Sequence, residues 1–145
     1  MKKLFKALIV TLAISCCVAC ALAFTACGSK SKVYTGEYSY TSHNTNYGVK
    51  VNVTVEEDVI KKVEIVDSDY VVATPAGWAN LSKWEAGLDQ LLKSYEGKTV
   101  SEIKAINVAC TDKVPNKGQD FSGHVIADAT QGSGRLLLAI QDALK

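Results

Sequence analysis

Past its first 27 positions the chain has few of the side chains that most often carry chemistry. It holds two histidines, His43 and His124, and neither has a second histidine or a cysteine at ligand spacing, so the pattern offers no zinc site. Cys16, Cys17, Cys20 and Cys27 crowd the amino end and only Cys110 lies beyond them, which excludes a disulfide scaffold. In Asn107-Val108-Ala109-Cys110 that thiol reads as a small buried hydrophobe, with a reactive thiol as the alternative. No basic block or stripe occurs. Beyond residue 26 there are 13 basic residues against 15 acidic ones, a net charge of −2, which argues for no nucleic-acid partner. Lys61-Lys62 reads as the solvent face of a strand. Ser133, in Gly132-Ser133-Gly134, lacks the strand-to-helix signature of a nucleophile elbow, so hydrolase chemistry has no support. There is no internal repeat and no low-complexity tract.

What is abundant is apolar sequence at the amino end. Lys2, Lys3 and Lys6 precede an apolar run from Ala7 to about Phe24, followed by Phe24-Thr25-Ala26-Cys27 and the polar Gly28-Ser29-Lys30-Ser31-Lys32. This is the order of an export signal over residues 1–26. The run is nearly long enough to span a bilayer, and a retained transmembrane anchor is the alternative. Cys27 argues against it. Phe24-Thr25-Ala26-Cys27 resembles the lipobox of bacterial lipoproteins, with Phe24 where Leu is usual. That resemblance implies a diacylglycerol on the Cys27 thiol, cleavage on its amino side, and a place at the cell membrane, lipid-anchored on the extracytoplasmic face. Two acyl chains suffice for stable anchoring, since each buried methylene contributes about 0.8 kcal/mol. Residues 27–32 are then the lipidated cysteine and a short tether, and residues 33–145 are long enough for one domain with one core.

Within that domain, Tyr34, Gly36, Tyr38 and Tyr40 share one phase of a strand with an aromatic face. A turn-rich link at 42–46 leads to Val49, Val51, Val53 and Val55, which alternate with Lys50, Asn52, Thr54 and Glu56 in the clearest period-two pattern of the chain. Glu56-Glu57-Asp58 turns back into Ile60–Val66, which predicts a hairpin. Beyond Thr74-Pro75-Ala76-Gly77 the period changes. Leu81, Trp84, Leu88, Leu91, Leu92 and Tyr95 recur at helical spacing up to Gly97, and Trp84 belongs to the packed face. Thr99 and Ser101 are candidate caps for a short helix through Ile103 and Ile106. Residues 112–123 read as a loop. Ser133 is placed as the cap of a last helix with the stripe Leu136, Leu137, Ile140 and Leu144. The fold class is α+β, an antiparallel sheet with helices packed on one face.

The start of that last helix is the best candidate for binding. Ala129-Thr130-Gln131-Gly132-Ser133-Gly134 puts two hydroxyls and two glycines where unpaired amides and the helix dipole favour an anion, and Arg135 adds a charge. An ordinary capped helix is the alternative reading. Nearly the whole domain resembles the FMN-binding domain family, which includes extracytoplasmic flavin subunits of the Rnf and sodium-pumping quinone reductase complexes and many lipoproteins of Gram-positive bacteria. Tyr34-Thr35-Gly36-Glu37-Tyr38 is similar to the family's opening strand, and Gly48–Val55 with Ile60–Ile65 to its central hairpin. Thr74-Pro75-Ala76-Gly77 resembles its Glu-Thr-Pro-Gly loop near the flavin, and Ile126-Ala127-Asp128-Ala129-Thr130 its Ser-Gly-Ala-Thr segment.

The resemblance implies FMN as cofactor, with Thr130 as the candidate for a phosphoester installed by a flavin transferase. Ala129, Gly132 and Ser133 would lie around the phosphate, and Thr74, Pro75 and Trp78 near the ring. By its position Trp78 is suited to lie against the isoalloxazine, with a core role as the alternative. Ala127 stands where Ser or Thr is usual, Asp128 where Gly is, His124 where an upstream Asp is, and Gly132 replaces a later Thr. Asp128 matters most, because a carboxylate beside a phosphate dianion costs energy. The expected function is electron transfer between membrane electron donors and extracellular acceptors, by a flavin carrier rather than a stand-alone enzyme. The alternatives are a flavin-free extracytoplasmic binding or interaction lipoprotein of the same fold, and a flavin-dependent reductase with its own substrate.

Overall fold

The computed structural model describes residues 30–68 and 81–145. Cys27, Thr74, Pro75 and Trp78 lie outside the described residues.

The alternating valines make the centre of the sheet. Strands β1 (Lys32–Ser42), β2 (Thr45–Glu56) and β3 (Val59–Ser68) form an antiparallel sheet in the order β1-β2-β3. Val49, Val51, Val53 and Val55 of β2 are all buried, with Ile60 and Val63 of β3 beside them, while Lys50, Lys61, Lys62 and Glu64 stay exposed. The two connections are two-residue turns. His43 and Asn44 have φ of 50° and 59°, and Glu57 and Asp58 have 50° and 64°. Left-handed backbone at both central residues matches the twist of a right-twisted hairpin, which is why such tight turns keep the strands paired.

The helices cover one face. Helix α1 (Leu81–Ser94) lies beside β3 and buries Trp84 to 5% exposure together with Leu91. Gly97, at φ +80°, lets the chain leave α1 and donate its amide to Ile60 O at 2.8 Å, so the segment after the helix covers the near end of the β3 edge. Helix α2 (Val100–Ala105) has Thr99 as its cap: Thr99 Oγ1 accepts from the Glu102 amide at 3.2 Å, and Glu102 Oε2 accepts from the Thr99 amide at 2.7 Å. Helix α3 (Thr130–Ala143) runs across β1 and β2 and buries Leu136, Leu137, Ala139 and Ile140. Among the described residues no helix is long and apolar enough to cross a membrane.

Three expectations are corrected here. Residues 112–123 are not loop throughout, because β4 (Cys110–Thr111) and β5 (Val114–Pro115) pair through the two-residue turn Asp112-Lys113. Cys110 is exposed rather than buried, since the hairpin anchors through Pro115 and through Tyr38, whose hydroxyl donates to Lys113 O at 2.9 Å, and leaves both β4 residues in solvent. Ser133 is not the cap of the last helix, which begins three residues earlier at Thr130 with Ala129 in the cap position. Both glycines beside Ser133 lie inside the helix, and at Gly134 close packing leaves no room for a side chain. A Cβ on Gly134 would stand 2.9 Å from Pro115 Cβ and 3.0 Å from Phe121 Cζ.

The tightest approach is at Gly36. A Cβ there would lie 2.2 Å from Ala143 N and 2.3 Å from Ala139 O, both backbone atoms of α3. Backbone yields less readily than a side-chain tip, so helix and strand would have to separate. Gly36→Ala is expected to cost about 3 kcal/mol, read as a lower urea midpoint at unchanged slope. An unchanged midpoint would show that α3 is free to slide.

Candidate functional site

Gly36, Ala139 and Ala143 set the direction of α3 along β1, and Arg135 then falls beside Tyr40. The start of α3 therefore lies toward the turn at His43 and Asn44. Thr130, Gln131 and Gly132 are the first three helical residues, and all are half-buried. Their amides belong to the helical turn that has no intrahelical acceptor. Ala129, at φ −122° and ψ 34°, supplies no side-chain cap. Thr130 thus stands, half-buried, at a helix start whose cap position supplies no side-chain acceptor.

Ser133 is spent differently. It is fully buried, its Oγ accepts from the Ile126 amide at 3.0 Å, and it donates to Ala129 O at 3.0 Å. That hydroxyl ties the incoming loop to the first turn of the helix and leaves no proton for a ligand. Arg135 also differs from its expected role. It lies within the helix at 2% exposure, its guanidinium 6.0 Å from the Tyr40 ring centroid and 5.8 Å from that of Tyr47. Tyr40 and Tyr47 are direct cross-strand partners, stacked at 5.3 Å and 24°. Its charge is thus held against an aromatic pair rather than at the helix start. Burial raises the Tyr40 pKa against the lowering effect of Arg135. Next to this pair, burial and the neighbouring Cys110 push Tyr38 up to about 12.

A cation that the sequence did not single out reaches the loop before the helix. Lys83, in the first turn of α1, forms an ion pair with Asp128, two residues before Thr130. The two residues lie 45 positions apart, and nothing in the local sequence of either marks the pairing. Lys83 balances the carboxylate that would otherwise oppose a phosphate, although both side chains are more than half exposed and the pair is worth little as stability.

His124 is the other residue the pattern did not explain. It is 4% exposed and its ring stacks on Tyr95 at 4.6 Å and 12°. Burial lowers its pKa, and Lys98 adds to the effect. Among the described residues, the structure brings together Ala129, Thr130 and Gly132 at the helix start and turns Ser133 inward. No group of three or more histidine, cysteine or acidic residues among them is placed to hold a metal ion.

Compared with known proteins, the chain matches no family model, no curated protein and no solved structure.

Ser133→Ala is expected to leave the Ile126 amide buried without an acceptor and to destabilise the protein by about 1–3 kcal/mol. Chemical denaturation measures this, and a change within error would mean that the loop finds another acceptor.

Proposed function

We propose that the chain is a lipid-anchored extracytoplasmic protein that binds FMN and works in electron transfer, with Thr130 as the residue that receives the flavin phosphate. The observation that carries this reading is the start of α3: a half-buried Thr130, first-turn amides without a side-chain cap, and a Lys83–Asp128 pair beside them. The resemblance of the β1 segment, the β2–β3 hairpin and the Ala129-Thr130 segment to the FMN-binding domain family supports it from the sequence. The Cys27 lipobox supports the location at the membrane.

The fit is uneven, and that defines the roles. The Thr130 hydroxyl and the amides of the first turn would hold the phosphate, while Ser133 would act only by fixing the loop that leads to them. Lys83 would offset Asp128. FMN, when bound, supplies one- and two-electron chemistry, and the protein positions it and tunes its potential. A flavin transferase would be the partner for covalent attachment, with membrane electron donors and extracellular acceptors as redox partners. The flavin-free binding or interaction lipoprotein is favoured by two observations: Asp128 lies two residues before Thr130, and the Ser133 hydroxyl is taken.

Intact mass of the mature protein co-expressed with a flavin transferase separates these readings. An FMN-sized increment that disappears in Thr130→Ala is expected. An increment that survives the substitution places the bond elsewhere, and flavin absorbance without an increment means reversible binding. Colourless protein with no affinity for FMN in calorimetry overturns the flavin reading.

A further inference from the structure

The loop that enters α3 lies along α1 in an ordered way. Asp128 pairs with Lys83, Ile126 packs on Gly87, and His124 meets Ser94 and Tyr95. Positions 128, 126 and 124 thus meet positions 83, 87 and 94–95, so the segment runs antiparallel to the helix and joins it at alternate residues. Gly87 makes the middle contact possible, since a Cβ there would lie 3.0 Å from two carbons of Ile126. The segment reaches α3 through the Ile126 amide on Ser133 Oγ and the Ala129 amide on Ile126 O at 2.9 Å.

His124 is the buried titratable member of this seam. Ser94 Oγ donates its single proton to Leu91 O at 2.6 Å, so toward the His124 Nδ1, also at 2.6 Å, it acts as acceptor. That bond fixes a proton on Nδ1, and burial of the ring at 4% exposure disfavours a second proton on Nε2. The groups around it favour the neutral form. Tyr95 is buried and its phenol is held well above its ordinary pKa, and Lys98 is a cation. On the segment itself, Asp120 accepts from the Gly123 amide and Asp128 is engaged by Lys83. Among the described residues no carboxylate forms an ion pair with His124.

We propose that residues 123–129 are an acid-released strap, closed on α1 while His124 is neutral and opened when the ring takes up a second proton. Opening separates the start of α3, Thr130 included, from α1 and leaves the sheet intact. The sign follows from the buried form: the seam is complete above the ordinary histidine value of about 6.5 and weakens as pH falls below it. The strap is independent of whether FMN binds, since every contact in it lies within the protein.

Amide hydrogen exchange of the protein between about pH 7.5 and about pH 5 tests this. After correction for intrinsic exchange, protection of the Ile126 and Ala129 amides is expected to fall by about tenfold while that of Val51 and Val53 holds. His124→Phe keeps a flat ring against Tyr95 and takes no proton, so its strap protection is expected not to vary with pH. Constant protection in the wild type, or an equal fall in the phenylalanine variant, overturns the proposal. If that variant does not fold, the wild type still decides: the fall must share its midpoint with the titration of the His124 ring signals in magnetic resonance spectra, and separate midpoints overturn it.

Discussion

The backbone of α3 lies so close to β1 that position 36 has no room for a side chain, and the rest of the arrangement follows from that contact. With Ala139 and Ala143 fixed over Gly36, Arg135 comes over the Tyr40–Tyr47 pair and the start of the helix points toward the β1–β2 turn. Small residues on both surfaces allow the approach, and the larger Leu136, Leu137 and Ile140 fill the space over the valines of β2. A helix held this firmly along its second half can present its first turn at a defined place.

That first turn is held from the other side by hydrogen bonding rather than by apolar contact. The Ser133 hydroxyl, one turn inside the helix, satisfies the loop instead of the helix amides. Ala129 supplies no side chain to cap the donors of that turn. The strap that ends at Ala129 then links this turn to α1 through one ion pair, one close apolar contact and one buried ring. The seam that leads to Thr130 thus contains the titratable side chains of Lys83, Asp128, His124 and Tyr95.

The fold was largely legible in the residues. Alternating valines, an apolar stripe beginning at Leu81 and Trp84, and Thr99 as the cap of a short helix each express a local period or a local hydrogen bond. The first two formed as read, and of the two candidate caps Thr99 took the place while Ser101 lies inside the helix. The site was legible only in outline. Ala129, Thr130 and Gly132 lie together because they are neighbours in sequence at a helix start. Ser133 was misplaced because glycines on either side look like helix punctuation, whereas Gly134 serves close contact with Pro115 and Phe121. Arg135 was misplaced because one and a half helical turns carry it away from the start and onto two tyrosines of a distant hairpin.

By itself the sequence determined the three strands of the main sheet, the presence of the helices and which of their faces are apolar, because those properties depend on spacing along one segment. Tertiary structure alone decided that Lys83 neutralises Asp128, that His124 is buried against Tyr95, that the Ser133 hydroxyl is spent on a loop, and that Cys110 is exposed. The physical reason is separation along the chain. Ion pairs, ring stacks and buried hydrogen bonds join residues 7 to 45 positions apart, and their geometry exists only after the helices have docked on the sheet.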